Sequence, residues 1–344
     1  MRLKNPFSSL AAGTALVLIA VVLIIPAVIA LLSGPKPPAR DRVQTDPNQG
    51  ITVETSTEEP TIQVYDAALG QIVPMRLEAY VVGAVAAEMP ASYDMEALKA
   101  QAVAARTLAA YKWRGRGGKG CVNHPGADIC TEFTHCQAWV DDSGMHEKWG
   151  NGYEKWKQKI TEAVNATRGM ILTYQDEPIQ VFYYATSNGK TEDSAAVFAQ
   201  ALPYYGVVDS PGEESAPKYD ETVTFTRAEV AAKLNDLYPA AKLKKNNLEN
   251  QIEILSYTQS GRVAEVRVGG TTISGSAFRQ AFGLNSTDFD LSYQGGSVNI
   301  HTLGYGHGVG MSQVGAHAMA EKGAGVAEIL AHYYLGTTLY RMYE

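Results

Sequence analysis

Residues 77–111, LEAYVVGAVAAEMPASYDMEALKAQAVAARTLAAY, constrain the fold more tightly than any other stretch of the chain. They read as an amphipathic helix, a short break at Met89-Pro90-Ala91-Ser92, and a second helix running back. In the first helix Leu77, Tyr80, Val81, Ala84 and Val85 fall at i, i+3, i+4, i+7 and i+8, the spacing of a buried stripe. Glu88 follows at i+11, in register with that stripe, just before proline ends the helix. A carboxylate on the apolar side of a core-facing helix is partly desolvated. Desolvation raises its pKa, as a general acid working near neutral pH requires. Glu88 is therefore the candidate catalytic residue, set against the plainer reading of a solvated or ion-paired glutamate near a helix end.

In the second helix Ser92 or Asp94 is placed to cap the N-terminus, and Leu98, Ala102, Ala105 and Ala109 form a small-residue packing stripe. Lys99 and Arg106 are seven apart and project from one side of that helix, while Gln101 lies well round from them. Lys99 and Arg106 read either as a solvated basic edge or as groups that hold a substrate.

With 344 residues the chain has room for two modest domains or one large one, and a net charge of −7 argues against a nucleic-acid partner. Residues 10–32 are uncharged and apolar, long enough to cross a bilayer as a helix, and Pro26 is a kink such helices tolerate. Arg2 and Lys4 precede this run, so residues 1–9 are expected in the cytoplasm and the rest of the chain outside, anchored at the cell membrane. A cleaved signal peptide would have a shorter apolar region, so the uncleaved single-pass anchor is preferred. Residues 33–60, rich in Pro, Thr and acidic side chains, read as a flexible spacer.

Residues 61–344 are expected to be an α+β domain with a helical core and β-hairpins. A smaller subdomain, about residues 218–292, would form one wall of a substrate cleft. Hairpins are expected over residues 61–75 and 169–184, the second turning at Gln175-Asp176-Glu177. Trp149, Tyr153, Trp156 and Ile160 recur at helical spacing and read as core aromatics, although exposed tryptophans also stack on sugar faces. Thr226 opens a capping box with Glu229, residues 252–257 and 263–268 pair as strands, and helices begin at residues 276, 313 and 326.

All three cysteines fall within sixteen residues, together with two of the seven histidines. The spacing His-x5-Cys-x4-His-Cys of His124, Cys130, His135 and Cys136 fits a zinc site, leaving Cys121 as the spare. Four protein ligands leave no open position, so the metal would be structural. A Cys130–Cys136 or Cys121–Cys130 disulfide is the rival reading. No organic cofactor is indicated.

Two further loops carry polar chemistry. Residues 185–193, ATSNGKTED, are rich in hydrogen-bonding groups around a glycine and suit sugar hydroxyls, or else make a simple Asn-Gly turn. Residues 304–313, GYGHGVGMSQ, hold four glycines in seven positions and open a helix whose first amides can meet a polar ligand. His307 there reads equally as a structural histidine, a substrate donor or a hydrogen-bond partner of Glu88.

The strings VVGAVAAEMPASYDMEALKAQAVAARTLAAY, SNGKTEDSAAVF and GYGHGVGMSQVGAHAMAEKG, in that order, resemble the stage II sporulation protein D (SpoIID) family of lytic transglycosylases. The likeness runs from about residue 62 to the C-terminus. It implies Glu88 as acid and base, and Ser187, Asn188, Tyr305, His307, Ser312 and Gln313, with Lys99, Gln101 and Arg106, as substrate-binding residues. Some family members carry zinc at the cysteine cluster. The resemblance also implies peptidoglycan glycan strands as substrate, the sporulation septum during engulfment as setting, and an amidase of the SpoIIP type and a membrane protein of the SpoIIM type as partners.

A hydrolytic glycosidase normally needs two carboxylates. The sequence frames one; Glu96, Glu192 and Asp193 lack its setting. Lytic transglycosylation escapes the requirement, because a substrate hydroxyl closes on the anomeric carbon to give a 1,6-anhydro end. Two other classes stay open: a glycan-binding enhancer of an amidase, and a zinc peptidase or amidase using the His/Cys cluster, which would need an open metal position.

Overall fold

The computed structural model describes residues 58–198 and 200–344. The expected cytoplasmic residues 1–9, the anchor over 10–32 and the spacer up to residue 57 lie outside the described residues. Among the described residues no helix is long and apolar enough to cross a membrane. The end of the expected spacer is already part of the fold. Glu59 pairs with Arg76 at 3.0 Å and Arg168 at 2.8 Å, and accepts the Glu78 amide at 2.9 Å.

The hairpin β1 (Thr61–Asp66) and β2 (Gln71–Arg76) turns where the Asp66 carboxylate accepts the amides of Ala68 and Leu69 at 2.9 and 3.2 Å. It feeds directly into α1 (Leu77–Glu88), whose Leu77, Tyr80, Val81, Ala84 and Val85 are all buried, as their spacing predicts. Pro90 breaks the chain, and Asp94 caps α2 (Met95–Lys112) by accepting the Glu96 amide at 2.9 Å. A one-sided stripe was expected here. Instead every residue from Ala97 to Ala110 except Lys99 is buried, the signature of a helix enclosed on all sides. Its alanines make this possible, because methyl groups let neighbouring elements approach closely.

The elements around α2 follow in chain order. β3 (Ile129–Cys130) joins β1 in parallel. Trp149, Tyr153, Trp156 and Ile160, read at one helical spacing, fall on two helices, α3 (Asp142–Trp149) and α4 (Tyr153–Ala166), with a 3-10 turn at Gly150–Gly152 where Gly150 takes φ 49°. β4 (Met170–Tyr174) turns through Gln175 and Asp176, both at positive φ, into the two-residue β5 (Glu177–Pro178). The expected second strand of that hairpin is cut short. Beyond Pro178 only β6 (Tyr183–Tyr184) is a strand, and it pairs elsewhere, while the Tyr204 and Tyr205 hydroxyls bond the amides of Gln180 and Phe182 at 3.1 and 2.7 Å. A short helix, α5 (Ser194–Phe198), follows.

β7 (Asp220–Thr226), α6 (Arg227–Leu237), β8 (Ile252–Tyr257), β9 (Val263–Val268), β10 (Thr271–Ser274), α7 (Gly275–Phe282), β11 (Phe289–Gln294) and β12 (Ser297–Leu303) enclose a second apolar core around Val230, Leu234, Phe278 and Ile300. Thr226 and Glu229 form the expected capping box. This core extends past the expected limit of residue 292, because β12 is the middle strand of the sheet β11-β12-β7. The chain then returns to the first core through β13 (Met311–Ser312), parallel to β6, then α8 (Gln313–Glu321) and α9 (Val326–Tyr333), both against α2, and β14 (Thr338–Arg341), which pairs with β4.

Candidate functional site

Glu88 ends α1 and lines two depressions. One, of about 560 Å³, is lined by Phe133, Gln137, Tyr183, Tyr305, His307 and Gln313 among others; the second, of about 420 Å³, holds Lys148, Trp149 and Trp156. Among the described residues lining either, Glu88 is the only carboxylate. Burial pushes its pKa up, against the Ala138 amide, which it accepts at 2.6 Å, and the Tyr183 and Gln313 side chains that face it. Position adds to this, since a helix C-terminus disfavours negative charge. The Lys148 ammonium relieves that end of α1 by donating to the carbonyls of Ala86 and Ala87 at 2.7 and 3.3 Å. An acid whose pKa is raised beside a cleft keeps its proton to higher pH than an ordinary glutamate, which suits it to donate one.

The partners of Glu88 are themselves tied down. The Tyr183 hydroxyl donates to Gln137 Oε1 at 2.7 Å, and Gln137 Nε2 donates to the Tyr80 hydroxyl at 2.9 Å. Gln313 Nε2 reaches Gln101 Oε1 at 3.4 Å, so Gln101, fully buried, acts from behind Gln313. Gln137, Ala138, Tyr183 and Lys148 are absent from the sequence reading. Their contacts with the Glu88 region span 50 or more residues, and only the alternation of Tyr183 and Tyr184 in a strand hinted that one of them faces a cleft.

Several expected substrate residues lie elsewhere. Arg106 is entirely buried, bonded through Nε and Nη2 to both oxygens of Glu78 at 3.0 and 2.6 Å and through Nη1 to Met170 O at 3.0 Å. It neither projects from a basic edge nor reaches the cleft. Burial raises the Glu78 pKa, but the Arg106 charge and hydrogen bonds outweigh it and hold the carboxylate below its usual range. Lys99 pairs with Glu96 at 2.6 Å and lines neither depression. Ser312 is buried and caps α8 through the Gly315 amide at 3.2 Å, and the Val314 amide donates to Ala185 O at 3.1 Å, so both amides are taken within the fold.

The 185–193 loop is likewise structural at its two candidate residues. Ser187 is buried and donates to Lys190 O at 2.6 Å, while Asn188 bridges to the second core through Asp288 at 2.7 Å and Ser260 O at 3.2 Å. Beneath the loop lies Glu213, fully enclosed, accepting the Ser187 amide at 2.9 Å and the Ser210 hydroxyl at 2.6 Å. Burial pushes its pKa from 4.5 to about 7. A raised folded-state pKa gives stability that is complete below the unfolded value and lost as pH rises through the folded one. At about 1.4 kcal/mol per unit, the loss approaches roughly 3 kcal/mol. Thermal melts from pH 4.5 to 8 are expected to show Glu213→Gln overtaking the parent as pH rises; parallel curves would contradict this placement.

Tyr305, His307 and Gln313 do line the larger depression. His307 is held neutral: burial pulls its pKa down to about 4, and Nδ1 accepts the Val309 amide at 3.1 Å. Of its three readings the structure favours the structural one, with its ring against Phe182 and Phe198. The glycines around it serve close backbone approach. Gly310, at φ 79°, has no room for a Cβ, which would fall 2.1 Å from Phe182 O.

The family model of the stage II sporulation protein, SpoIID, matches residues 65–174, the stretch that carries Glu88 and the cysteine cluster. Over 330 residues the chain is 36% identical to Stage II sporulation protein D of Bacillus subtilis (strain 168), covering 94% of this chain and 93% of that one. The chain belongs to the SpoIID family. A second relative, Stage II sporulation protein D of Bacillus amyloliquefaciens, is also 36% identical over 330 residues, and an amidase enhancer of Bacillus subtilis is 28% identical over 307 residues, which are 40% of its length.

In this SpoIID domain the cysteine cluster sits beside the cleft, whose lining includes His135 and Cys136. Cys121, Cys130, His135 and Cys136 bring their ligand atoms within 4.8 Å of one another, and His135 Nδ1 lies 3.3, 3.4 and 3.5 Å from the three sulfurs. Three such distances from one corner fit a tetrahedral ligand set, and three thiols with one imidazole suit zinc. The fourth corner differs from the expectation. Cys121, the expected spare, occupies it, while His124 stacks on Tyr65 at 3.5 Å and bonds Glu132 at 2.8 Å, in an overlapping group with Cys130. All three thiols are free, so neither disulfide of the rival reading is formed.

Proposed function

We propose that this domain is a lytic transglycosylase acting on peptidoglycan glycan strands. The observation that carries the reading is a single carboxylate, half-buried and raised in pKa, in the lining of two depressions that offer no second carboxylate among the described residues. Protonated Glu88 donates to the oxygen linking N-acetylmuramic acid to N-acetylglucosamine, and the bond from that oxygen to the anomeric carbon breaks. The carboxylate then takes the proton of the muramoyl C6 hydroxyl as its oxygen bonds the anomeric carbon. The 1,6-anhydro ring forms with no water consumed, so no base for water is needed. Glu96 and Glu192 do not supply one, for Glu96 pairs with Lys99 and Glu192 is buried under Thr258 and Ser260. Incubation of the domain with purified glycan strands, read by mass spectrometry, is expected to give anhydro-ended fragments; reducing ends would mean hydrolysis.

The likeness to an amidase enhancer favours a second reading, in which the cleft binds glycan for the benefit of a partner. Strands retained without cleavage would select it. Membrane anchoring through residues 10–32, outside the described residues, and action beside SpoIIP- and SpoIIM-type partners at the sporulation septum complete the proposal.

Cys121, Cys130, His135 and Cys136 are the residues that would hold a structural zinc. A bound ion supplies a fourfold cross-link, and filled coordination leaves nothing for peptidase chemistry. Gln137 and Ala138 follow directly, so the cluster fixes the amide that bonds Glu88. One zinc per chain is expected by atomic emission, with a melting temperature lowered by strong chelators. A melt indifferent to chelation would remove the metal from this account.

A further inference from the structure

We infer that the trough of Lys148, Trp149 and Trp156 is a second saccharide subsite, which takes N-acetylhexosamine rings on the far side of Glu88 from the tyrosine-lined depression. The assignment rests on the proposed action on glycan strands and extends it. Glu88 lines both depressions, and each falls in the range of about 300–1,000 Å³ that holds a drug-sized ligand. A carboxylate at the dead end of one pocket attacks a terminal bond. A carboxylate between two subsites attacks a bond inside a chain.

The trough has the chemistry of a sugar platform. Trp149 and Trp156 pack on the core yet stay partly exposed and line the depression. Trp156 lies against Gly152, where a Cβ would fall 2.8 Å from its indole nitrogen, and the Lys155 and Lys159 ammonium groups stand 4.3 and 5.7 Å from its ring centroid. An indole offers the apolar C–H face of a pyranose a large contact at low entropic cost. Lys148, with two of its three N–H groups on the α1 carbonyls, keeps one for a hydroxyl or N-acetyl oxygen in the same depression. Core packing alone leaves unexplained why both indoles border the depression that contains the catalytic candidate.

The test uses the described domain in a Glu88→Gln background, with N-acetylglucosamine oligosaccharides of two and six rings as probes in titration calorimetry. Trp156→Ala is expected to weaken six-ring binding by roughly tenfold, about 1.4 kcal/mol, and two-ring binding less. Trp156→Phe, which keeps an aromatic ring and the packing, should recover most of the affinity and serves as the folding control. Undiminished six-ring binding in Trp156→Ala overturns the subsite and leaves the proposed function standing. Absence of binding by the Glu88→Gln protein itself overturns both.

Discussion

Glu88→Gln is expected to lower the rate of glycan-strand cleavage by roughly 10²–10⁴-fold, the usual contribution of general acid–base catalysis, while strand binding persists. The amide has the shape of the acid and its oxygen still accepts the Ala138 amide, so the fold and cleft survive. It lacks only the proton. In the parent, burial raises the carboxyl pKa, so the active protonated form extends to higher pH than an ordinary glutamate allows. Cleavage should therefore fall as pH rises through that raised value, with the residual rate of the variant flat over the same interval. Retention of the parent's rate by the variant would remove Glu88 from the chemistry.

Arg106→Met should lower stability by about 3–5 kcal/mol without altering the affinity of the folded protein for glycan. The reason is electrostatic. The guanidinium satisfies Glu78, which is 6% exposed and also accepts the Gly169 amide at 3.0 Å and the Tyr343 hydroxyl at 2.5 Å. Removing one partner strands the other charge in the interior, which costs far more than the net worth of the intact pair. Denaturant melts measure the loss, and the double variant Glu78→Gln, Arg106→Met should recover part of it by removing the stranded charge. A weakened substrate affinity at unchanged stability would reinstate Arg106 as a cleft residue.

These two residues show where the sequence was informative. Glu88 was legible because the register of a buried stripe on one helix is a local property, counted in steps of three and four. Arg106 obeyed the same counting and was misplaced, because periodicity ranks faces of a helix only when one face meets water. Alanines on every side of α2 leave no such face. The hairpins and the capping box at Thr226 were read for the same local reason. The break after β5 and the inclusion of β12 in the second core depend on partners elsewhere in the chain, while the break at Gly150 and Cys121 in place of His124 turn on local backbone geometry that residue spacing does not encode. Ser187 and Asn188 were candidates because polar loops suit sugars, yet the same groups suit an internal splint between two cores.

The enclosed helix α2 also sets a dimension. It separates α1, which carries Glu88, from α8, which carries Gln313, and packs against both. Its methyl side chains act as spacers of the smallest available gauge. The gap across which an acid and an amide face a sugar is thus measured out by residues that never touch it, and one added methylene in that helix would widen the jaws of the cleft.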